Sequence, residues 1–190
     1  MEEQGTVTLD FSMALCLYTS IFTDTGSFRY SNTTPQAMAF ASELLAYGVD
    51  SWMVAEQVYE SKSFPVLKLT GTFLESLGVS RRGRFAWGII RQADLKATGT
   101  REEHTDGFVN YPRSIRGVEV AILFREVSGT SVKISMRSKG KVNVAAVAEK
   151  FGGGGHHNAA GCVLEGTLPE VTRRVLEIVG DSLDDEVDPV

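Results

Sequence analysis

The run Phe151-Gly152-Gly153-Gly154-Gly155-His156-His157-Asn158-Ala159-Ala160-Gly161 constrains this chain more than any other stretch. Four consecutive glycines are entropically costly to order, so a folded chain that keeps them needs bare backbone at that place. Without a Cβ, a glycine N–H can come close to a phosphate oxygen. His156 adds a side-chain donor, and Ala159, Ala160 and Gly161 add almost no bulk. Together they point to an anion or nucleotide pocket. A flexible linker is the plainer alternative. Linkers are polar and unpatterned, whereas this run joins a helix-like segment to the apolar Gly161-Cys162-Val163-Leu164.

The rest of the composition narrows the partners. With 190 residues, 43% of them hydrophobic, the chain can bury a core of one domain, or of one and a half small ones. No run approaches 18 apolar residues, so no membrane span is expected. The acidic, polar start Met1-Glu2-Glu3-Gln4-Gly5 is wrong for a secretory signal. Cys16 and Cys162 each sit in an apolar run without metal-ligand spacing, and read as two reduced core cysteines of a cytoplasmic protein. The net charge of −5 argues against a protein that coats nucleic acid. Five of the acids, Asp181, Asp184, Asp185, Glu186 and Asp188, lie in the last ten residues, which read as a solvated, frayed tail. The remaining body is electrically balanced, and local basic clusters on it suit a small anionic ligand better than a long polyanion.

Hydrophobic spacing predicts helices first. Phe11 to Phe22 reads as a buried helix stopped by Asp24-Thr25-Gly26-Ser27, and Thr34 caps a helix that runs from Pro35 to about Tyr47. Further helices are expected over Ser51 to Ser61, with Trp52, Met53 and Val58 in the core, and over Phe64 to Leu77. Ser80-Arg81-Arg82-Gly83 reads as a polar turn or linker. Its arginines, with Arg84, form either a solvated face or a guide for RNA phosphate. Strands follow at Arg84 to Ile90, Val118 to Glu126 and Ser131 to Arg137, the last two joined by a hairpin turn at Gly129-Thr130. A helix near Thr105 to Ser114 is disturbed by Pro112, and a second, capped by Asn143, leads into the glycine run. Gly161 to Glu165 forms a last strand, and Pro169 to Leu183 an amphipathic closing helix. The order implies a helical remnant attached to a small α/β sandwich.

The glycine run resembles the signature of the DHHA1 domain, the C-terminal, substrate-binding half of DHH-family phosphoesterases. Gly153, Gly154, Gly155 and His156 match the signature's first four residues, and Ala159, Ala160 and Gly161 its last three. A second landmark, Thr23-Asp24-Thr25-Gly26-Ser27-Phe28, is similar to the last metal motif of the DHH catalytic domain. Taken alone, Asp24 there is equally consistent with ordinary turn chemistry. The resemblance implies that it is one ligand of a two-ion manganese centre. It covers nearly the whole chain, and is closest to the bacterial branch that degrades very short RNA and removes the 3′-phosphate of adenosine 3′,5′-bisphosphate. It is also related to exopolyphosphatases.

The resemblance implies an α/β fold with four parts: residues 1–77 as the helical remnant of the DHH domain, 78–83 as linker and hinge, 84–182 as a DHHA1 domain with a mixed β-sheet flanked by helices, and 183–190 as acidic tail. The family's Asp-His-His triplet is absent, since the three histidines are His104, His156 and His157. One carboxylate cannot hold two ions, so the chain reads as a C-terminal portion that does not hold the manganese by itself.

The substrate side implied is Arg137 and Ser138 in Ser135-Met136-Arg137-Ser138-Lys139-Gly140, with the glycine loop and His156. A guanidinium at a strand end can clamp a phosphate bidentately. Arg113 in Asn110-Tyr111-Pro112-Arg113-Ser114 is a further candidate, while Lys139 and Lys141 read as local field. The expected function is the substrate-binding portion of a manganese-dependent phosphoesterase acting on short single-stranded RNA or nucleotide phosphates. The alternatives are a nucleotide- or phosphate-binding module without turnover, and a structural domain that uses its acidic tail for a partner. Exposed apolar surface could also drive a homodimer.

Overall fold

The computed structural model describes residues 8–185 and residue 187. It divides into two compact units, Met1–Lys62 and Ser63–Val190. Among the described residues no helix is long and apolar enough to cross a membrane.

The first unit is helical. Helix α1 (Phe11–Asp24) starts where Asp10 accepts from the Met13 amide at 2.8 Å. Helix α2 (Pro35–Leu45) starts at the expected Thr34 cap, with proline in its first turn. Helix α3 (Ser51–Ala55) is capped by Asp50 and runs on into a π-helical turn, Glu56–Glu60. Ala14, Tyr18, Phe22, Ala41, Leu44, Val49 and Val54 form the core, with Phe28 folded against it. Two expectations fail here. Trp52 is 63% exposed rather than in the core. Cys16 lies on the exposed face of α1, because its turn of helix is buried through Ala14 and Tyr18 instead.

The second unit is a mixed sheet with helices on both faces. Helix α4 (Phe64–Glu75) is followed by β1 (Gly78–Val79) and β2 (Phe85–Ile90). Next come α5 (Gln92–Thr98), a 3₁₀ turn at Glu102–Thr105 and the short α6 (Asn110–Ser114). Then follow β3 (Val120–Ser128), β4 (Ser131–Ser138), α7 (Val144–Glu149), β5 (Gly154–His156), β6 (Ala159–Glu165) and α8 (Leu168–Leu183). The sheet order is β1-β2-β3-β4-β6-β5. Among the described residues only β2 and β3 pair in parallel, Phe85 opposite Val120, and the segment carrying α5 and α6 is the crossover that a parallel pair requires.

Strand alternation sorts the core into two layers. One face carries Phe85, Val120, Ile122, Phe124, Val132, Ile134, Met136, Cys162 and Leu164, packed under α7 and the apolar stripe Val171, Val175, Leu176 and Val179 of α8. Each large side chain buried this way contributes roughly 1.5–3 kcal/mol. The opposite face carries Ile90, Ala121 and Leu123 under Leu69 and Phe73 of α4, Leu95 of α5, and Phe108 and Val109. This second helical layer covers β2 and β3. Lys133, Ser135 and Arg137 of β4, and Ala159, Gly161 and Val163 of β6, lie on the same face outside that cluster.

The structure changes three boundaries. Helix α4 packs into the second unit through Leu69 and Phe73, so the units divide at Lys62/Ser63 rather than near residue 78. Residues 78–83, expected as a linker, hold an edge strand and a tight turn, Gly78 opposite Trp87 and Val79 opposite Ala86. The start of the acidic tail is not solvated. Asp185 is buried and accepts from Ser80 Oγ at 2.6 Å, the Arg82 amide at 2.9 Å and the Arg84 amide at 3.1 Å. Glu186 and Asp188 of that tail lie outside the described residues. The helix expected over Thr105 to Ser114 is broken into the 3₁₀ turn and α6, and α5 had no counterpart in the expectation.

Candidate functional site

The glycine run is a sheet edge. Gly152 and Gly153 donate their amides to Glu149 and Ala148 carbonyls and close α7. Gly154–His156 then pairs antiparallel with β6, with Gly154 opposite Gly161, Gly155 opposite Ala160 and His156 opposite Ala159. The expected cradle of amides is therefore corrected: the first two amides are bonded within the protein. The glycines answer a steric demand. A Cβ on Gly155, whose φ is +147°, would stand 2.5 Å from the Ala159 carbonyl oxygen. One on Gly161 would stand 2.6 Å from the Ile134 carbonyl oxygen. Gly154 differs, with nothing within 4 Å of where its Cβ would be.

Register decides which candidates share a face. Arg137 lies opposite Ala159, and Ala159 opposite His156. Directly opposed residues point the same way, so Arg137 and His156 project from one face two strand spacings apart, about 10 Å at the backbone. Ala159 lies between them, and the neighbouring row on the same face, Ser135, Gly161 and Gly154, extends this into a floor of small residues. A cleft of about 440 Å³ opens over this floor, lined also by Lys133, Ser135, Arg137 and Val163. His156 is exposed, and Arg137 is half-buried with Nη1 donating to its own strand's Met136 carbonyl at 2.9 Å.

The other candidates are placed differently. Ser138 is 1% exposed, and its hydroxyl donates to Asn158 Oδ1 at 2.9 Å while its amide donates to the Asn158 carbonyl. It holds the His157-Asn158 turn that presents His156. His157 contributes to the same turn, its Nδ1 2.9 Å from Asn158 Oδ1 and its carbonyl accepting from the Val144 amide. Arg113 is half-buried on α6, outside the lining of this cleft. His104 accepts from the Arg101 amide and closes its own 3₁₀ turn. Lys139 donates to the Ile115 carbonyl at 3.2 Å, and Arg82 and Arg84 bind Asp184 and Glu119. Cys162 points into the core, where burial pushes its thiol up and disfavours the thiolate.

A second cleft, of about 270 Å³, adjoins the first along β4 and shares Lys133, Ser135 and Arg137 with it. Glu102, Glu103, Asp106 and Arg125 complete its polar lining. Arg125 was not singled out from the sequence. Its signal was legible: a charge on the inward phase of an otherwise apolar strand, Ala121, Leu123, Arg125.

Asp24 belongs to the first unit. It ends α1 at a tight turn in which Gly26, Ser27 and Phe28 all have φ near +60°. Thr25, buried, ties the turn by donating to the Ile21 carbonyl at 2.6 Å and accepting from the Phe28 amide. Left-handed backbone at Ser27 and Phe28 costs energy and persists only where its surroundings enforce it. The Asp24 side chain is exposed. Among the described residues no group of three His, Cys, Asp or Glu side chains could hold a metal ion, so these residues do not fit a manganese pair by themselves.

Comparison with known proteins agrees with this architecture. The DHHA1 domain pattern matches residues 89–184, half of the chain. The chain belongs to the DHHA1 domain family. It is 36% identical over 173 residues to the bifunctional oligoribonuclease and PAP phosphatase NrnA of Thermus thermophilus, covering 90% of this chain and 51% of that protein. It is 32% identical over 153 residues to the NrnA of Bacillus subtilis, covering 80% and 48%. An exopolyphosphatase-related protein from Bacteroides fragilis has the same fold, with 31% identity and a TM-score of 0.83 over 92% of this chain and 50% of that one. The chain spans about half the length of these relatives. The DHHA1 match begins within β2 and ends just past α8, so Arg125, Arg137 and the glycine edge all fall inside it.

Proposed function

We propose that this DHHA1 chain is the substrate-binding portion of a phosphoesterase acting on short single-stranded RNA or small nucleotide phosphates. The observation that carries the reading is the shared face of Arg137 and His156, with Ala159 between them and the small residues Gly161 and Gly154 in the adjoining row. A guanidinium and an imidazole can together hold a terminal phosphate. A floor of two glycines and one alanine lets the attached sugar approach the sheet. The NrnA relatives are named for activity on oligoribonucleotides and on PAP, ligands of this size and charge. The contribution assigned to the face is positioning, which can lower a reaction barrier by several kcal/mol.

Manganese chemistry is the finer part of the proposal. Asp24 is the residue of this chain that would contribute a carboxylate, and no reaction step is derived through the ions. Binding without turnover is the second reading, favoured because no group of three His, Cys, Asp or Glu side chains among the described residues could hold a metal ion. Calorimetric titration of adenosine 5′-monophosphate tests the face. Arg137→Ala and His156→Ala are each expected to weaken binding about tenfold, the worth of a charge-assisted hydrogen bond. Unchanged affinity in the double variant refutes the site. Incubating the chain with a dinucleotide and manganese then separates the readings: turnover at enzyme-like rates excludes the second.

A further inference from the structure

We infer that Arg125 is a second phosphate subsite, one step along the ligand chain from Arg137, and that the Glu102 carboxylate stands in for the phosphate until a ligand displaces it. The inference rests on the reading of Arg137 given above. Arg125 is 6% exposed, yet it lines the smaller cleft. Burying a guanidinium is costly unless its charge and its N–H groups are satisfied. Its charge is met by Glu102, whose Oε2 lies 2.5 Å from Nη1. One of its nitrogens is not fully met, because Nη1 is buried and makes no aligned hydrogen bond among the described residues. Glu102 thus supplies charge without an aligned hydrogen bond, and its side chain is 57% exposed on a short 3₁₀ turn that can release it.

The surroundings suit an arriving anion. Lys133 lies directly opposite Arg125 across β3 and β4, and Arg137 lies four residues further along β4. That places Arg125 and Arg137 about 14 Å apart at the backbone, with both guanidinium side chains lining one cleft. A ligand with a single phosphate can satisfy one of them. A ligand with two phosphates joined through a ribose can reach both. The rim carboxylates Glu103 and Asp106 face the same space. They discourage anions that do not bring the second cation into play. The subsite thus selects ligands that carry two phosphates over those that carry one.

The test is calorimetric titration of the whole chain, with chelator present, using two probes: adenosine 5′-monophosphate and a 5′-phosphorylated diadenosine dinucleotide. Arg125→Met is expected to weaken the dinucleotide about tenfold, one charge-assisted contact, and to leave the mononucleotide within about twofold. Glu102→Gln is expected to tighten the dinucleotide severalfold, because the competing charge is gone. Equal losses for both probes, or no loss for either, overturn the subsite. Should Arg125→Met fail to fold, Glu102→Gln decides, and unchanged or weaker dinucleotide binding in that variant overturns the inference. Loss of the reading at Arg137 would look different: Arg137→Ala would then leave mononucleotide affinity unaltered.

Discussion

The two edges of the sheet are built from similar short strands but closed in opposite ways. At the β1 edge a carboxylate does the closing. Asp185 accepts from Ser80 Oγ and from two loop amides, those of Arg82 and Arg84. At the β5 edge bare backbone does it, with Gly155 pressed against β6 and the Ser138–Asn158 pair bracing the turn. An anion held by backbone amides, the arrangement expected of the glycine run, is found at the opposite edge, where the chain supplies its own anion. The difference shows what each edge can offer a ligand. One is sealed by an internal charge. The other keeps a small-residue floor beside Arg137 and His156, open to solvent.

Two adjacent glycines break this comparison most sharply. Gly155→Ala places a methyl against the Ala159 carbonyl in a backbone region that favours glycine. It is expected to cost about 3 kcal/mol in urea unfolding. Gly154→Ala meets nothing within 4 Å and is expected to leave stability within about 0.5 kcal/mol. It does fill part of the floor, so mononucleotide affinity should fall severalfold. Equal destabilisation by both substitutions would remove the distinction between the packed and the open glycine.

The next comparison sets the two polar clasps against each other. Asp185→Ala strands a buried hydroxyl and two loop amides, and is expected to cost about 2 kcal/mol. Ser138→Ala leaves Asn158 half-satisfied and is expected to cost about 1 kcal/mol, with mononucleotide affinity within twofold because the hydroxyl serves the turn. A tenfold affinity loss in Ser138→Ala would instead place that hydroxyl on the ligand.

Much of the fold was legible because local chemistry dictates it. The Thr34-Pro35 start of α2, the Asn143 cap of α7 and the stripe of α8 all stand where their residues require. The mixed sheet with flanking helices follows the expected class. The edges were not legible, because an edge strand of two or three residues has no periodicity to read and is defined by a partner far along the chain. Gly78 pairs with Trp87 only once β2 is in place. Asp185 looked like tail because its partners, Ser80, Arg82 and Arg84, are about a hundred residues away and carry no spacing signal. Within the site, Arg137 and His156 were legible as residue types, and the register that aligns them was not. Arg125 is legible as a charge on the inward phase of its strand, but its setting is not, because Glu102 and Arg137 beside its cleft come from other elements.

The smallest expected effect concerns the neighbourhood of the β1 edge and is a matter of pH. Arg84 Nε donates to Glu119 Oε1 at 3.0 Å. That hydrogen bond, reinforced by the charges of Arg84 and Lys141, holds the Glu119 carboxyl below its ordinary value of 4.5, against the opposing pull of desolvation. A carboxyl lowered in the folded state binds fewer protons there than when unfolded. Its stabilisation is then complete above about pH 4.5 and disappears as pH falls through the lower, folded value. Melting temperature measured from pH 6 downward should therefore drop more steeply below pH 4.5 in the unaltered chain than in Glu119→Gln. No comparable acid step is expected from bracing the β5 edge, where the Ser138–Asn158 pair carries no titratable group. A steep acid limb that survives Glu119→Gln would assign the pH sensitivity to other carboxylates, and would show that this ion pair does not distinguish the two edges.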